Sequence, residues 1–388
     1  MDRFLDFYNI GDIPFRFGRI VREDDFCNRK KEIALITQNI RSKYSIWLFS
    51  PRRFGKSSLI LRVFKLTASK KQKNIYFDLY NIKSADDFCR KYSEAITKEL
   101  FNWKDDVKTI IKKAGRYFKS LYPKISFDET GSPSFMLEKG NIHNQTDIEQ
   151  ILQAPELIAK ENGISICIAF DEFQEIDRID PFIINWMRSV FQKQENVSYV
   201  FLGSRQSLMN KIFADLNSPF YEFAIKMDIN PISYNDFYAF IESKFKKNRV
   251  SVLPKTIDTI LQKSQLHPHF TQYFASVVYL LVKNGHDQSA DNFTQIWINT
   301  ILESQSIIFQ GIFDNLTTRQ RSVLVTLAKL HKNEELFSER IRAEYKLPAS
   351  STIQTVVKSL EKQSLIYKSN GKYMISNPVL KEWLLTLN

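Results

Sequence analysis

The chain has 388 residues, 43% hydrophobic and 25% charged, which excludes extensive disorder and leaves room for two or three domains, each with its own core. Cys27, Cys89 and Cys167 lie far apart with no CxxC pair, which speaks against a disulfide framework or a zinc site and for a reducing compartment; with no 18-residue apolar run and no secretion-type order in Met1-Asp2-Arg3-Phe4-Leu5-Asp6, a cytoplasmic location without a membrane segment is expected. The net charge of +12 favours polyanionic partners such as nucleic acid, nucleotides or anionic lipid, the competing explanation being simply solvated lysines.

Ile33, Leu35, Ile36 and Ile40 fall at helical spacing within residues 31–41, and Ser45 to Phe49 form a short apolar strand. That strand runs into Ser50-Pro51-Arg52-Arg53-Phe54-Gly55-Lys56-Ser57-Ser58, after which Leu59, Ile60, Leu61, Val63 and Phe64 continue as a helix face. Lys73 to Leu79 alternates as a second strand and Ala85 to Leu100 reads as a helix, completing a βαβ unit. Residues 102–148 differ in character. A basic helix-like piece from Lys104 to Tyr122 precedes a polar stretch with Pro123, Gly131, Pro133 and Gly140, and the segment is read as an insertion or lid. Pro155 to Lys160 reads as a short helix with proline in its first turn. Ile164 to Phe170 is a continuous apolar run, as a strand buried on both faces requires, and Asp171-Glu172 stands at its carboxyl end. Ser198 to Leu202 is another buried strand closed by Gly203-Ser204-Arg205, and Ala224 to Ile229 suggests one more. From Ser233 to about Phe309 the pattern is helical, including Tyr234 to Phe245 and Phe270 to Val282. The tail reads as helices over Arg319–Leu330, Ser338–Tyr345 and Ser351–Leu360, then two short strands around Ser369-Asn370-Gly371, a hairpin signal. Three helices followed by a hairpin is the order of a winged helix.

Strand, loop, helix with Gly55-Lys56-Ser57 at the junction is the arrangement of a phosphate-binding loop. Such a loop needs backbone N–H groups facing an anion, a lysine for the β- and γ-phosphates and a hydroxyl for Mg²⁺. The usual pattern opens with glycine. Here Ser50 stands in that place, ahead of Pro51, which restricts its predecessor to extended conformations. Asp171-Glu172 supplies the complementary carboxylates: two adjacent acids at a buried strand end are costly without a cation, Asp171 suits Mg²⁺, and Glu172 suits a base for attacking water.

These residues resemble the archaeal-type ATPases of the STAND class, within the AAA+ and ASCE P-loop NTPases. Phe26-Cys27-Asn28-Arg29-Lys30-Lys31-Glu32 resembles the family's F-x-x-R-x-x-E segment, which implies Arg29 beside the nucleotide base. Pro51-Arg52-Arg53-Phe54-Gly55-Lys56-Ser57 resembles its P-R-R-x-G-K-[ST] loop, with Ser58 following, and Ile168-Ala169-Phe170-Asp171-Glu172-Phe173-Gln174 its Walker B strand. Phe201-Leu202-Gly203-Ser204 resembles the sensor-1 strand and Ser218-Pro219-Phe220-Tyr221 the S-P-[LF]-Y turn. Glu222-Phe223 stand where the family often has Gly-Arg, so no arginine carries over there. Arg205 is the substitute candidate for the γ-phosphate, a surface salt bridge being the alternative. His267-Pro268 resembles the family's entry to a lid helix that contacts nucleotide, which implies Pro268 as a nucleotide contact; His267 and His269 also invite a metal reading, without an acidic or cysteine companion nearby.

The expected fold is α/β: a P-loop ASCE parallel sheet covered by helices over residues 1–230, with the insertion at about 102–148, a helical lid over 231–310 and a winged helix over 311–388. The expected function is an ATPase acting as a nucleotide-dependent switch with ATP and Mg²⁺. Lys56 holds the β- and γ-phosphates, Ser57 and Asp171 the metal, Glu172 activates water, and Ser204 and Arg205 read the γ-phosphate. Alternatives are a DNA-binding ATPase of origin-recognition or transposition-helper type and a non-hydrolysing nucleotide-gated scaffold; an oligomer that lends an arginine is also compatible. Ile353, Val356, Val357 and Leu360 form a core face in the tail and leave Ser351, Thr352, Gln354, Thr355 and Lys358 outward, as phosphate or base contacts would require. Residues 317–388 hold twelve Lys/Arg and six Asp/Glu, half the chain's excess charge, so DNA and a protein partner both remain open for this segment.

Overall fold

A computed structural model describes residues 13–21, 23–101, 107–118, 121–127, 133–139, 145–229, 231–331, 334–369 and 371–387. The chain divides into two compact units: Arg29–Ser50 with Lys56–Ile229, and Met1–Asn28 with Pro51–Gly55 and Asn230–Asn388.

In the first unit, α1 (Lys30–Arg41) leads into β1 (Ile46–Phe49), and α2 (Lys56–Thr67) into β2 (Gln72–Asp78). α3 (Ala85–Leu100) is started by Ser84, whose side chain accepts the Asp87 amide, a cap that satisfies one of the free donors of the first turn. α4 (Val107–Tyr117), an antiparallel hairpin of β3 (Leu121–Phe127) and β4 (Pro133–Lys139), and α5 (Gln145–Asn162) follow. β5 (Ser165–Asp171), α6 (Ile183–Phe191), β6 (Val197–Gly203), α7 (Gln206–Phe213) and β7 (Ile225–Asp228) complete the unit. Five strands make one parallel sheet in the order β2-β5-β6-β1-β7. Because all five run the same way, their carboxyl ends gather on one edge, where ligands of open α/β sheets bind. Helices cover the sheet, as the burial of β6 throughout and of β5 from Ile166 to Asp171 requires. An aromatic cluster fills the interface, with Phe170 stacked on Phe201 at 5.9 Å and Phe173 4.5 Å from Phe201.

Two expectations need correction here. Pro155 does not open a short helix but lies inside the 18-residue α5; buried Ile151, Leu152, Ala154 and Ile158 hold the helix together through the missing N–H. The segment read as polar after Tyr122 forms β3 and β4, whose alternation is diluted by Pro123 and Pro133. Lys104, Gly131, Gly140 and Asn370 lie outside the described residues.

The second unit carries α8 (Tyr234–Lys247), α9 (Pro254–Ser264), α10 (Pro268–Lys283), α11 (Phe293–Glu303) and α12 (Ser306–Asp314). α13 (Thr318–Lys329), α14 (Glu339–Glu344) and α15 (Ser350–Lys362) precede the antiparallel pair β8 (Ile366–Ser369) and β9 (Lys372–Ile375), and α16 (Pro378–Leu384) closes the order. α13 starts with a capping box between Thr317 and Gln320. The three helices and hairpin form the C-terminal winged helix. Sequence periodicity did not reveal α16. Its Trp383 packs against Phe309 and Phe313 at 6.1 and 5.6 Å, and Glu382 pairs with Lys263 at 2.7 Å, so the winged helix and the preceding helices share one apolar core. Among the described residues no helix is long and apolar enough to cross a membrane.

Candidate active site

β1 ends at Phe49, whose register partner on β6 is Gly203, and Asp78 of β2 stands beside Asp171 of β5. The register therefore sets Ser50, Asp78, Asp171 and Ser204 along the carboxyl edge of the sheet. Lys56, the first residue of α2, is 6% exposed, and its ammonium donates to the Ser50 carbonyl at 2.8 Å. Gly55, just before it, has φ +87°, a left-handed conformation that a side chain would strain. Arg53 takes φ +64° in the same turn.

Ser57 donates its hydroxyl to Asp171 Oδ2 at 2.5 Å, bringing together two groups 114 positions apart in the sequence. Asp171 is 5% exposed; its Oδ1 accepts the Glu172 amide at 2.9 Å and its Oδ2 also accepts the Tyr76 hydroxyl. Among the described residues these partners are all neutral. Burial, and then the charge and hydrogen bond of Asp171, push the Tyr76 phenol well above its ordinary value. The Asp78 carboxyl is raised by desolvation first, with the charges of Asp171 and Glu172 adding to it.

Glu172 begins the turn after β5 with φ +51°, a conformation few side chains adopt, and its Oε2 accepts the Ser204 hydroxyl at 2.7 Å and the Gln174 amide. Gln174 in turn accepts the Ser204 backbone amide through Oε1 at 3.2 Å. Gly203 makes this approach possible: a Cβ there would lie 2.3 Å from Met209 Cγ and Sδ and 2.9 Å from Gln174 Oε1.

The donor set fits Mg²⁺. A hydroxyl and a carboxylate are hard oxygen ligands, and the buried Asp171 charge has only neutral partners among the described residues. No group of three or more His, Cys, Asp or Glu that could hold a metal occurs among the described residues.

Residues 26–261 match the family model described as an ATPase domain predominantly from Archaea. The chain belongs to that family. Residues 307–386 of this ATPase-family chain match the model described as "Probable winged helix domain". Among solved structures, the Walker-type ATPase paby2304 of Pyrococcus abyssi is similar with a TM-score of 0.66 at 15% identity, covering 96% of this chain and 99% of that one. The ORC2 protein of Aeropyrum pernix, in ADPNP-ADP complexes, is similar with a TM-score of 0.52 at 13% identity, covering 95% and 97%. At these identities the likeness concerns the fold alone. No curated protein matches the chain.

Other residues of the ATPase-family chain singled out from sequence are placed as follows. Arg29 caps α1 with φ +78°, is buried, and pairs with Glu32 at 2.9 Å. Arg205 precedes α7 and approaches Glu175 at 3.7 Å, which is a loose ion pair. Within the second unit, Arg52 and Arg53 are exposed while Phe54 is buried, its ring 4.5 Å from His267 and 6.1 Å from Tyr367 of β8. Pro51 and Pro268 are half-buried, and Pro268 opens α10 at the position where a missing N–H costs least. Ser58 is buried in α2. Burial, and then the charge of His269, push the His267 imidazole down to about 3. His269 Nδ1 accepts the Gly18 amide at 3.3 Å.

Sequence reasoning missed two members of the site. Gln174 stood inside the recognised Walker B segment without a role. Tyr76 shares a strand face with Asn74 and Asp78, and that alternation is the signal that could have found it.

Proposed function

We propose that the chain binds ATP with Mg²⁺, hydrolyses it, and works as a nucleotide-dependent switch, with an ATPase domain over 1–230, a helical lid over 231–310 and a winged helix over 311–388. The observation that carries this reading is the meeting of Ser57 with Asp171 and of Glu172 with Ser204 at the carboxyl edge of a five-stranded parallel sheet. Lys56 exchanges the Ser50 carbonyl for β- and γ-phosphate oxygens, and backbone amides of the first turn of α2 support the same anion. Ser57 and Asp171 hold Mg²⁺, which when bound neutralises charge on the phosphate oxygens. Glu172 takes the proton of the attacking water once its carboxylate leaves Ser204 and Gln174. Ser204 and Arg205 read the γ-phosphate, and Arg29 lies by the base. The motif set favours placement in the STAND class of AAA+ ATPases. Phe54 supports the switch reading: within the second unit its ring meets His267 and Tyr367 of the wing, contacts through which a change at the loop reaches the winged helix.

Glu172→Gln tests the chemistry. It should keep ATP binding and slow turnover by about 10²–10⁴-fold. Equal turnover in wild type and variant would move the base elsewhere, and no turnover in wild type with or without DNA would favour the non-hydrolysing scaffold. A second reading, in which the winged helix contacts DNA, is favoured by exposed Ser351, Gln354, Thr355 and Lys358 on α15 and by the tail's charge.

A further inference from the structure

The Asp171 carboxylate is held by a donor that belongs to neither nucleotide motif. Tyr76 lies on β2, and its register partner on β5 is Ala169, two residues before Asp171 and therefore on the same strand face. Ala169 carries only a methyl at that register position, and the Tyr76 hydroxyl donates to Asp171 Oδ2. That oxygen is the one Ser57 also meets, while Oδ1 is fixed by the Glu172 amide. Three donors from three elements thus fix both oxygens of one carboxylate. Backbone alone orients Oδ1; Oδ2 depends on side chains.

We propose that Tyr76 is a positioning residue for the divalent-cation site, its hydroxyl setting the rotation of the Asp171 carboxylate so that Oδ2 stays turned toward Ser57. The inference rests on the reading of Ser57 and Asp171 as metal holders. Ligating carboxylates are themselves oriented by hydrogen bonds, and loss of such a support costs about 10–100-fold in metal affinity. A Ser57 hydroxyl recruited by the cation gives a lone pair to the metal while it still donates its proton to Asp171, so it is shared between ion and carboxylate. Tyr76, one strand away, remains as the fixed donor.

The full chain is titrated with Mn²⁺ in the presence of ADP, free ion being followed by electron paramagnetic resonance, for wild type, Tyr76→Phe and Asp171→Asn. ADP affinity in EDTA is measured in parallel. Tyr76→Phe removes one oxygen and keeps the ring; it should weaken Mn²⁺ binding about 10-fold and leave the metal-free ADP affinity unchanged. Asp171→Asn should weaken Mn²⁺ at least as much. Unchanged or tighter Mn²⁺ binding in Tyr76→Phe, with Asp171→Asn impaired, overturns the inference while the metal reading stands. An equal loss of Mn²⁺ and metal-free ADP binding in Tyr76→Phe shows a structural role and overturns it too. Unaltered Mn²⁺ binding in Asp171→Asn removes the metal reading itself, and the inference with it.

Discussion

Acid should loosen the second unit through one imidazole. His267 is 3% exposed, flanked by Phe54 and Phe270 at 4.5 and 4.8 Å, and burial pushes its imidazole down to about 3 from the ordinary 6.5. A depressed histidine stays neutral in the folded chain while the unfolded chain takes up a proton near pH 6.5. Between those values the unfolded state binds more protons, so stability falls as pH falls. Integrated from pH 7 to pH 5, one such group costs about 2 kcal/mol. His267→Phe keeps an aromatic ring against its neighbours and removes the proton site. Hydrogen exchange of α10 in the full chain, corrected for intrinsic rates, gives the opening free energy at both pH values. Wild type should lose about 2 kcal/mol more than the variant over that range. Equal losses would show that His267 is not held neutral by its surroundings. His269, pushed down to about 4 chiefly by burial, remains in both proteins and cancels from the difference.

Gly203→Ala should destabilise the sheet unit by about 1–3 kcal/mol, since its methyl meets Met209 and Gln174; unchanged urea unfolding would mean that the Met209 side chain swings clear. The winged helix should touch DNA through phosphates. With about four phosphates contacted, log K against log salt has a slope near roughly −3.6 on duplex DNA, and replacing Lys358 and Lys372 together should flatten it by about 1.8 for every sequence alike. Anisotropy titrations of the full chain at several salt concentrations check this, and a double variant with an unaltered slope would remove those lysines from any interface.

The sheet was legible because β1, β5 and β6 are apolar runs ending in residues with distinct chemistry, Ser50, Asp171 and Ser204, and because the apolar spacing of Ile353, Val356, Val357 and Leu360 does face the core. Leu35 shows the limit of spacing alone: it lies at a helical apolar position of α1 and is half exposed, whereas Ile36 and Ile40 are buried. The passage of α5 through Pro155 was hidden because tertiary packing overrides a local propensity. Tyr76 and Gln174 were not legible as site members because their importance lies in what they touch across strands, Asp171 in one case and Ser204 in the other. α16 carries only two turns, too short for periodicity to separate it from a loop.

The central claim is that Lys56 holds nucleotide phosphates. Titration of the full chain with a fluorescent ATP analogue, with and without Mg²⁺, tests it most directly. Wild type should bind with an affinity that Mg²⁺ raises, and Lys56→Ala should abolish binding; equal titration curves for wild type and Lys56→Ala would contradict the account.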